Sequence, residues 1–436
     1  MHATVDTTEG HATALDARDP LRNLRGEFLM PDARSVAACA GGSWEVSGGE
    51  AVYLTGNSLG CQPKGVAQDV SRELEDWARL GVEGHLHGRD PWLPYHEQFR
   101  GALGRVVGAM PTEVVAMNSL TVNLHLLMAS FYTPTRERFK IMIEDSAFPS
   151  DSYAVQSQAE FHARTAGFDP ARAVVRLRPR EGEHALRTED IVAAIEREGS
   201  SLALVMLGAV NYLTGQWFDM DAVTRAGHKA GARVGWDLAH AAGNVPVKLH
   251  DIGADFAAWC SYKYLNGGPG AIAGAFVHEK HHAARLLQFA GWWGNDPASR
   301  FVMGPDFRPV ASADRWALSN PPIFSLTPLK ASLALFDRAT IPALREKSVV
   351  LTTYMEALLK AAAPHVIVRT PSDPAHRGCQ LSLVVRGSSR AMQKTLLARG
   401  IVCDFREPDV IRAAPVPLYN SFRDVWKFVT ELGRLT

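Results

Sequence analysis

The sequence lacks the features that mark several protein classes. Its five cysteines are dispersed and odd in number, with no Cys-x-x-Cys pair, which argues against a disulfide framework and a cysteine-rich metal site. The longest apolar run, residues 202–210, is too short to cross a bilayer. Basic and acidic residues are equal in number, 46 of each, so no net field attracts a polyanion. We therefore expect neither a membrane protein nor a nucleic-acid-binding protein.

Lysine is also scarce, at eleven of the 46 basic residues, which narrows any search for a reactive amine. The first residues do not resemble a secretory signal, because no basic start is followed by an apolar stretch, and we expect a cytosolic protein. The length of 436 residues is about two to three times that of a typical domain, which predicts two lobes.

The hydrophobic pattern divides the chain into three parts. Residues 1–50 are polar and glycine-rich and predict an N-terminal arm. Residues 51–310 predict a large α/β domain with a mainly parallel sheet, because short β-rich runs alternate with helical stretches from about residue 115 to 290. The runs are KIMIE (140), AVVRLR (173), LALVML (202), ARVGWD (232), DFAAWC (255) and AIAGAFV (271). Residues 311–436 predict a smaller α+β domain.

Finer predictions concern individual elements. Apolar residues three and four apart over residues 66–80 predict a helix whose apolar face packs into the core. In the smaller domain we expect helices over residues 325–339 and 342–363, short strands near 365 and 380, and a closing helix from about 421.

Ligands of an open parallel sheet bind beyond the carboxyl ends of its strands, so the residues that follow each run carry the functional prediction. ARVGWD ends at Asp237 and is soon followed by His240, while DFAAWC is followed by Tyr262, Lys263 and a glycine-rich stretch. An amine and a carboxylate so placed can bind pyridoxal phosphate (PLP), the amine as a Schiff base and the carboxylate at the pyridinium nitrogen. On spacing alone, Lys263 as a surface residue and Asp237 as a helix cap remain the alternative.

Two further segments suit the same cofactor. Ser119 or Thr121 precedes or begins a helical stretch and can present hydroxyl and backbone N–H groups to a phosphate, although simple N-capping is the alternative. Phe148 follows KIMIE and offers an aromatic ring to a heterocycle, although such a phenylalanine is by itself more often part of the core.

A series of motifs, in order from about residue 50 to the C-terminus, resembles the kynureninase family. The motifs are YLTGNSLG (53–60), NSLTVNLHLLMASFY (118–132), AFPSD (147–151), DLAHAAGN (237–244), SYKYLNGGPG (261–270), AGAFVHEKH (273–281), GWWG (291–294), SNPPI (319–323) and IRAAPVPLYNSF (411–422). The resemblance implies an aspartate-aminotransferase-like fold, PLP fold type I. It also implies hydrolysis of the Cβ–Cγ bond of L-kynurenine or 3-hydroxy-L-kynurenine to anthranilate or 3-hydroxyanthranilate plus L-alanine, in tryptophan catabolism and NAD biosynthesis.

The resemblance also implies roles for individual residues. Lys263 forms the Schiff base with PLP, Asp237 pairs with the pyridine nitrogen, and Phe148 stacks on the ring. The phosphate contacts match Leu120, Thr121, Tyr262 and Trp292, and the remaining cofactor positions are Pro149, Ser150, Asp151, Gly208 and His240. Tyr262 is also the candidate acid/base near the γ-carbonyl.

Further positions concern the substrate and the second subunit. Arg412 matches the arginine that binds the substrate's α-carboxylate. Asn320 matches a cofactor-binding position that comes from the other subunit, so a homodimer with shared active sites is implied. His85, Ser319 and Asn320 match positions linked to substrate preference, which stays open. One departure is GWWG in place of a GWFG-like segment, which keeps Trp292 in register.

Other functions compete with this interpretation. Residues 278–282, HEKHH, satisfy the HExxH pattern of zinc hydrolases, but His278 follows a strand directly and no third ligand motif is evident. We therefore predict no metal. A cysteine desulfurase of the same fold needs an exposed, mobile cysteine, whereas Cys379 and Cys403 lie in segments that look structural. A non-catalytic protein is disfavoured by the presence of Lys263, Asp237 and Arg412 together.

Overall fold

A computed structural model describes residues 6–41, 46 and 48–435. The helices are α1 (Glu9–Arg18), α2 (Ala33–Ala38), α3 (Val66–Leu80), α4 (Gly84–His87), α5 (Arg100–Val107), α6 (Leu120–Phe131), α7 (Pro149–Ala166), α8 (Thr188–Glu198), α9 (Met220–Lys229), α10 (Ile323–Ala339), α11 (Ile341–Ala362), α12 (Ser389–Ala398) and α13 (Phe422–Arg434). The strands are β1 (Phe28–Leu29), β2 (Val52–Tyr53), β3 (Gln62–Pro63), β4 (Val114–Ala116), β5 (Lys140–Glu144), β6 (Val174–Leu177), β7 (Leu202–Gly208), β8 (Arg233–Asp237), β9 (Phe256–Cys260), β10 (Ala273–Val277), β11 (Ile367–Val368), β12 (Leu381–Val384), β13 (Ile401–Val402), β14 (Asp404–Arg406) and β15 (Val410–Ala413).

The large lobe is built on a seven-stranded sheet with the order β4-β10-β9-β8-β7-β5-β6. All six predicted runs are strands of this sheet. The pairs from β9 to β6 are parallel, and β10 runs antiparallel to both of its neighbours. The prediction of a mainly parallel sheet is therefore confirmed.

Helices cover both faces of this sheet, and β7 shows why its sequence is a continuous apolar run. Successive side chains of a strand point to opposite faces. Leu204 and Met206 pack into the hydrophobic cluster that includes residues of α6 and α7, while Val205 and Leu207 pack into the cluster shared with α5, α8, α9 and α10. Both faces of β7 are buried, so apolar and polar residues do not alternate along this strand.

Helix α3 has the predicted span, but the prediction that its apolar face packs into the core is wrong. Leu74 and Trp77 are 48% and 58% exposed, whereas Glu73 and Asp76 are buried. Glu73 accepts a hydrogen bond from Trp92 Nε1 at 2.8 Å, and Asp76 accepts one from the backbone N–H of Arg89 at 2.8 Å. The segment that follows α3 therefore buries the helix's acidic side, while Leu74 and Trp77 on its apolar side stay exposed.

The small lobe contains a four-stranded antiparallel sheet, β11-β12-β15-β14, covered by α11, α12 and α13. The predicted helices and strands of this lobe are confirmed. Helix α1 of the N-terminal arm packs against α13, and Ala12 and Val52 join the small lobe's core. Helix α10 contributes its leucines to the large lobe's core, so the predicted boundary between residues 310 and 311 stays a prediction.

Across residues 6–41, 46 and 48–435, none of the helices combines the length and hydropathy that a membrane crossing requires.

Candidate active site

A cavity lies at the carboxyl ends of the parallel strands, as the topology predicts. Asp237 ends β8, Glu144 ends β5, Gly208 ends β7, and Lys263 follows β9. The lining residues are Ser119, Leu120, Thr121, Glu144, Phe148, Ser150, Asp151, Gly208, Val210, Tyr212, Asp237, Ala239, His240, Tyr262 and Lys263. Ten of the predicted cofactor residues are thus brought together: Leu120, Thr121, Phe148, Ser150, Asp151, Gly208, Asp237, His240, Tyr262 and Lys263.

The amine of Lys263 lies between aromatic rings and a histidine. Its Nζ is 3.2 Å from His240 Nε2, 5.8 Å from the ring centroid of Phe148 and 6.0 Å from that of Tyr262. Burial, and then the charge of Lys263, hold the pKa of His240 well below its usual value. The imidazole is therefore neutral and can accept a hydrogen bond from the amine.

Three buried carboxyl groups form the floor of the cavity. Asp237 accepts a hydrogen bond from the Ala239 backbone N–H at 2.6 Å, and burial raises its pKa. Burial, and then the neighbouring Asp237, raise the pKa of Asp151 well above its usual value. Burial also raises the pKa of Glu144 to about 7. Because Asp151 holds a proton most readily and contacts Asp237, Asp237 can keep its negative charge.

The cavity also receives the N-termini of two helices. Helix α6 begins at Leu120 and leaves backbone N–H groups of its first turn unpaired. Helix α7 begins at Pro149, which has no N–H, and its Asp151 N–H already donates to the Phe148 carbonyl at 2.9 Å. Thr121 Oγ1 and Ser150 Oγ are 2.8 Å apart. Within the described residues, Ser119 makes no side-chain capping bond at α6, so the capping alternative is not realised there. The N-terminus of α6 therefore suits an anion such as phosphate.

These groups fit PLP. Asp151 Oδ1, in the lining of the cavity, is buried and has no hydrogen-bond partner among the described residues, so it can bind a group that the chain does not itself supply. The amine of Lys263, the carboxylate of Asp237, the ring of Phe148 and the start of α6 match the aldehyde, the pyridine nitrogen, the ring face and the phosphate of this cofactor.

Arg412 lies one layer behind the cavity, on β15 of the small lobe. It is 1% exposed, and its Nη1 donates to the backbone carbonyl of Tyr212 at 2.9 Å. Its guanidinium lies 5.8 Å from the ring centroid of Tyr212, which lines the cavity. The guanidinium also pairs with Asp404. The small lobe therefore brings one cation toward the large lobe's cavity.

Comparison with known proteins decides the family. The "Kynureninase C-terminal domain" family model matches residues 344–432. A kynureninase from Myxococcus xanthus is 56% identical over 98% of this chain and 97% of its own length. A kynureninase from Koribacter versatilis is 53% identical, again over 98% of this chain and 97% of its own length. The chain belongs to the kynureninase family.

Solved structures show the same fold. A cysteine desulfurase from Escherichia coli superposes with a TM-score of 0.73 at 18% identity, over 95% of this chain and 98% of its own. A mutant of C-DES with glycine covalently linked to its PLP cofactor superposes with a TM-score of 0.72 at 17% identity, over 88% of this chain and 96% of its own. At these identities the likeness concerns the fold alone. The solved structures confirm the predicted fold class. The kynureninase relatives confirm the predicted family, the PLP cofactor and the enzyme class, a PLP-dependent hydrolase of carbon–carbon bonds.

None of the five cysteines lines the cavity, so the desulfurase alternative lacks the cysteine that it needs near the cofactor. Cys39 is exposed, but it follows α2 and its Sγ donates to the Ser35 carbonyl. Cys379 and Cys403 are buried, and burial raises the pKa of Cys379 to about 12. Cys260 is buried as well, and burial raises its pKa. Thiols in this state are poor nucleophiles, so the kynureninase assignment is favoured over the desulfurase chemistry of the fold relatives.

Besides Arg412, five positions that the kynureninase resemblance implies do not line the cavity within one chain: His85, Pro149, Trp292, Ser319 and Asn320. The predicted contact of Trp292 with the phosphate is therefore not made by this chain alone. Its Nε1 donates to the Arg300 carbonyl at 2.9 Å, and its ring packs edge-on against Phe301. These positions lie on exposed segments, and their roles stay predictions.

Sequence reasoning missed Glu144, Val210, Tyr212 and Ala239. Glu144 is the last residue of KIMIE, so the rule that drew attention to Asp237 would have found it. Tyr212 lies in a turn beyond β7, where no periodic pattern indicates which way a side chain points.

The HExxH segment does not form a zinc-hydrolase helix. His278 precedes a single 3-10 turn (Glu279–His281), and His282 Nε2 lies 2.9 Å from the carbonyl of Val277. The two histidines therefore do not share a helical face. His278 instead lies beside Glu113 and His250, with ligand atoms within 4.8 Å of one another, at the opposite edge of the sheet from the kynureninase cavity. Glu113 already accepts from backbone N–H groups there.

Proposed function

We propose that the chain hydrolyses the Cβ–Cγ bond of L-kynurenine, of 3-hydroxy-L-kynurenine, or of both. The products would be anthranilate or 3-hydroxyanthranilate and L-alanine. The observation that carries the proposal is the convergence of Lys263, Asp237 and the N-terminus of α6 on one cavity. Relatives named kynureninase that match nearly the whole chain support it.

The chain's own residues would hold the cofactor. Asp237 would pair with the pyridine nitrogen, Phe148 would pack on the ring, and the N–H groups at Leu120 and Thr121 would bind the phosphate. PLP, when bound, supplies an electron sink for negative charge at the substrate's α-carbon. Asp151 would donate a hydrogen bond to Asp237 and keep its carboxylate oriented.

Proton transfers would fall to Lys263 and Tyr262. The Lys263 amine is the base for the proton on the substrate's α-carbon, and neutral His240, 3.2 Å away, would orient it. Burial raises the pKa of Tyr262, so its phenol keeps its proton and can donate to the γ-carbonyl oxygen when water adds to that carbon. Arg412 would bind the α-carboxylate.

A second copy of the chain would complete the site. Trp292 packs against Phe301, and the neighbouring Val302 and Met303 are 76% and 77% exposed. An exposed apolar patch of this kind suits a protein interface. We propose a homodimer in which His85, Trp292, Ser319 and Asn320 act at the partner's cavity.

The cellular setting is part of the proposal. All five cysteines are free thiols, which suits the reducing cytosol. The reaction would serve tryptophan catabolism, and a 3-hydroxylated product would serve NAD biosynthesis.

One experiment tests cofactor, reaction and substrate together. Purified protein loaded with PLP is mixed separately with L-kynurenine and 3-hydroxy-L-kynurenine, and the visible absorption of the cofactor and the products are followed. We expect a spectral change and release of the aryl acid with at least one substrate. Cofactor binding without either aryl acid would contradict the proposed reaction.

A further inference from the structure

We infer that Asp404 is a positioning residue, which holds the Arg412 guanidinium in the orientation that accepts a substrate carboxylate. The inference rests on the proposed function, because it deepens the role given there to Arg412.

The sheet of the small lobe fixes this contact. Asp404 on β14 lies directly opposite Arg412 on β15, and Ser382 on β12 lies opposite Arg412 on the other side. Side chains that are directly opposite on antiparallel strands share a face of the sheet. Arg412 Nε donates to Asp404 Oδ1 at 2.7 Å, and Nη2 donates to Oδ2. The carboxylate therefore binds two nitrogens of the guanidinium at once.

Two N–H groups of the Arg412 guanidinium remain available for a ligand. A guanidinium has five N–H groups, and Asp404 accepts from two of them while the carbonyl of Tyr212 accepts from a third. Among residues 6–41, 46 and 48–435, no acceptor takes the remaining two, one on Nη1 and one on Nη2. Two N–H groups on adjacent nitrogens are the number that one carboxylate binds in a bidentate contact.

The rigidity of this contact matters because Arg412 is 1% exposed. An arginine side chain has many rotamers, and each one that Asp404 excludes lowers the entropy lost when the substrate binds. Contacts on two sides, from Asp404 and from the carbonyl of Tyr212, leave the guanidinium little freedom to rotate.

If Asp404 acted only through its negative charge, its removal would change KM in the opposite direction from a positioning role. Asp404 also lies 3.2 Å from Arg406, so one carboxylate is shared by two guanidiniums. If it served only to offset their charge, its removal would strengthen the attraction for a substrate carboxylate and lower KM. If it positions Arg412, its removal weakens binding and raises KM. The sign of the change therefore distinguishes the two roles.

The test is Asp404→Asn in the PLP-loaded enzyme, because the amide keeps the size of the side chain and removes the paired acceptor. We expect KM for L-kynurenine to rise by about tenfold or more, with kcat within about threefold of the wild type. The visible absorption of the bound cofactor should be unchanged, because Lys263 is not touched. A KM that falls or stays constant would overturn the inference.

Two further variants separate positioning from general damage. Asp409→Asn is the matched control: this carboxylate is in the same lobe and accepts from the backbone N–H groups of Gly387 and Ser389, so it should leave KM unchanged. In an Arg412→Gln background, Asp404→Asn should raise KM no further, because Asp404 acts through Arg412. Additive effects of the two changes would contradict this route.

The binding of L-alanine tests the role of Asp404 even if the enzyme does not cleave kynurenine. Its dissociation constant can be read from the change in cofactor absorption without turnover of kynurenine. Asp404→Asn should weaken L-alanine binding by about tenfold and leave the binding of ethylamine, which has no carboxylate, unchanged. A wild type that never cleaves kynurenine would contradict the proposed function alone. An unchanged L-alanine affinity in Asp404→Asn would contradict the positioning role alone.

Discussion

At the scale of single residues, the site depends on the amine of Lys263 and on two neighbouring acids, Asp151 and Asp237, of which Asp151 holds its proton more readily. Only Lys263 among the eleven lysines lines the cavity, and its immediate partner is a neutral histidine. Strand-end position pointed to Lys263 and Asp237 from the sequence, because buried parallel strands have a recognisable pattern and their carboxyl ends share one edge. The contact between Asp404 and Arg412 was not predictable from the sequence, because it depends on the strand register of the small lobe.

The first prediction at this scale concerns Lys263. Lys263→Ala should abolish the visible absorption of the cofactor–lysine bond and reduce kcat by at least about a thousandfold, because both the bond and the base are lost. Absorption spectra and steady-state kinetics measure the two effects. A variant that keeps both would show that another amine carries the chemistry.

The second prediction concerns Glu144, whose pKa burial raises to about 7. An acid whose pKa is raised by folding costs stability as the pH rises from its unfolded pKa, near 4.5, to its folded pKa. Glu144→Gln should therefore stabilise the PLP-free protein above about pH 7, by up to about 3 kcal/mol, and have little effect below about pH 4.5. Urea unfolding at several pH values measures this difference. A difference that does not vary with pH would contradict the account.

At the scale of elements, the spans of helices and strands were predictable, but the environments of their faces were not. The spacing of apolar residues located α3, yet its acidic side is buried because Trp92 and Arg89 come from a segment with no periodic pattern. The HExxH pattern was likewise no guide, because the end of β10 leaves room only for a short turn. Local sequence gives the period of an element, whereas its partners depend on the tertiary structure.

One prediction at this scale concerns Asp255, which joins β8, β9, α9 and the turn after β10. It is fully buried and accepts from His228 Nε2 at 2.8 Å, His281 Nε2 at 2.7 Å and the Val234 backbone N–H at 2.8 Å. Burial opposes ionisation, but the hydrogen bonds from the histidines outweigh it and hold the pKa of Asp255 below its usual value.

Asp255→Asn should therefore destabilise the protein by about 3 kcal/mol near neutral pH, because it removes one partner of a buried network. A lowered pKa stabilises the fold above the unfolded pKa of about 3.8, and that stability is lost as the pH falls below it, so the difference should shrink in acid. Urea unfolding measures it. Asp221→Asn, which breaks an exposed pair with Arg225 on α9, is the control and should cost less than about 0.5 kcal/mol. Equal effects of the two changes would refute the role of the network.

At the scale of the whole molecule, the two lobes divide the work. The large lobe provides the cavity, while the small lobe brings Arg412 to the carbonyl of Tyr212. The sequence predicted that a larger lobe binds the cofactor and that a smaller lobe carries Arg412. It also predicted ten of the residues that line the cavity. Trp292 and Asn320 lie on exposed segments outside the cavity, so their predicted roles depend on a second copy of the chain.

The prediction at this scale is complementation between two inactive variants. Lys263→Ala removes the base of its own cavity, and Asn320→Ala would damage the partner's cavity. When the two variants are mixed and exchange subunits, about a quarter of wild-type activity should return. About half of the dimers are then mixed, and each mixed dimer holds one intact site out of two. Size-exclusion chromatography of each variant is the control for dimer formation. Exchange into mixed dimers without any recovery would contradict shared active sites.

The central claim is that this cavity hydrolyses a carbon–carbon bond of kynurenine. The most direct measurement is mass spectrometry of the products that PLP-loaded enzyme forms from L-kynurenine in oxygen-18 water. The account predicts anthranilate that carries the heavy oxygen in its carboxylate, together with an equal amount of L-alanine. Kynurenine consumed without alanine, or anthranilate formed without the label, would contradict it.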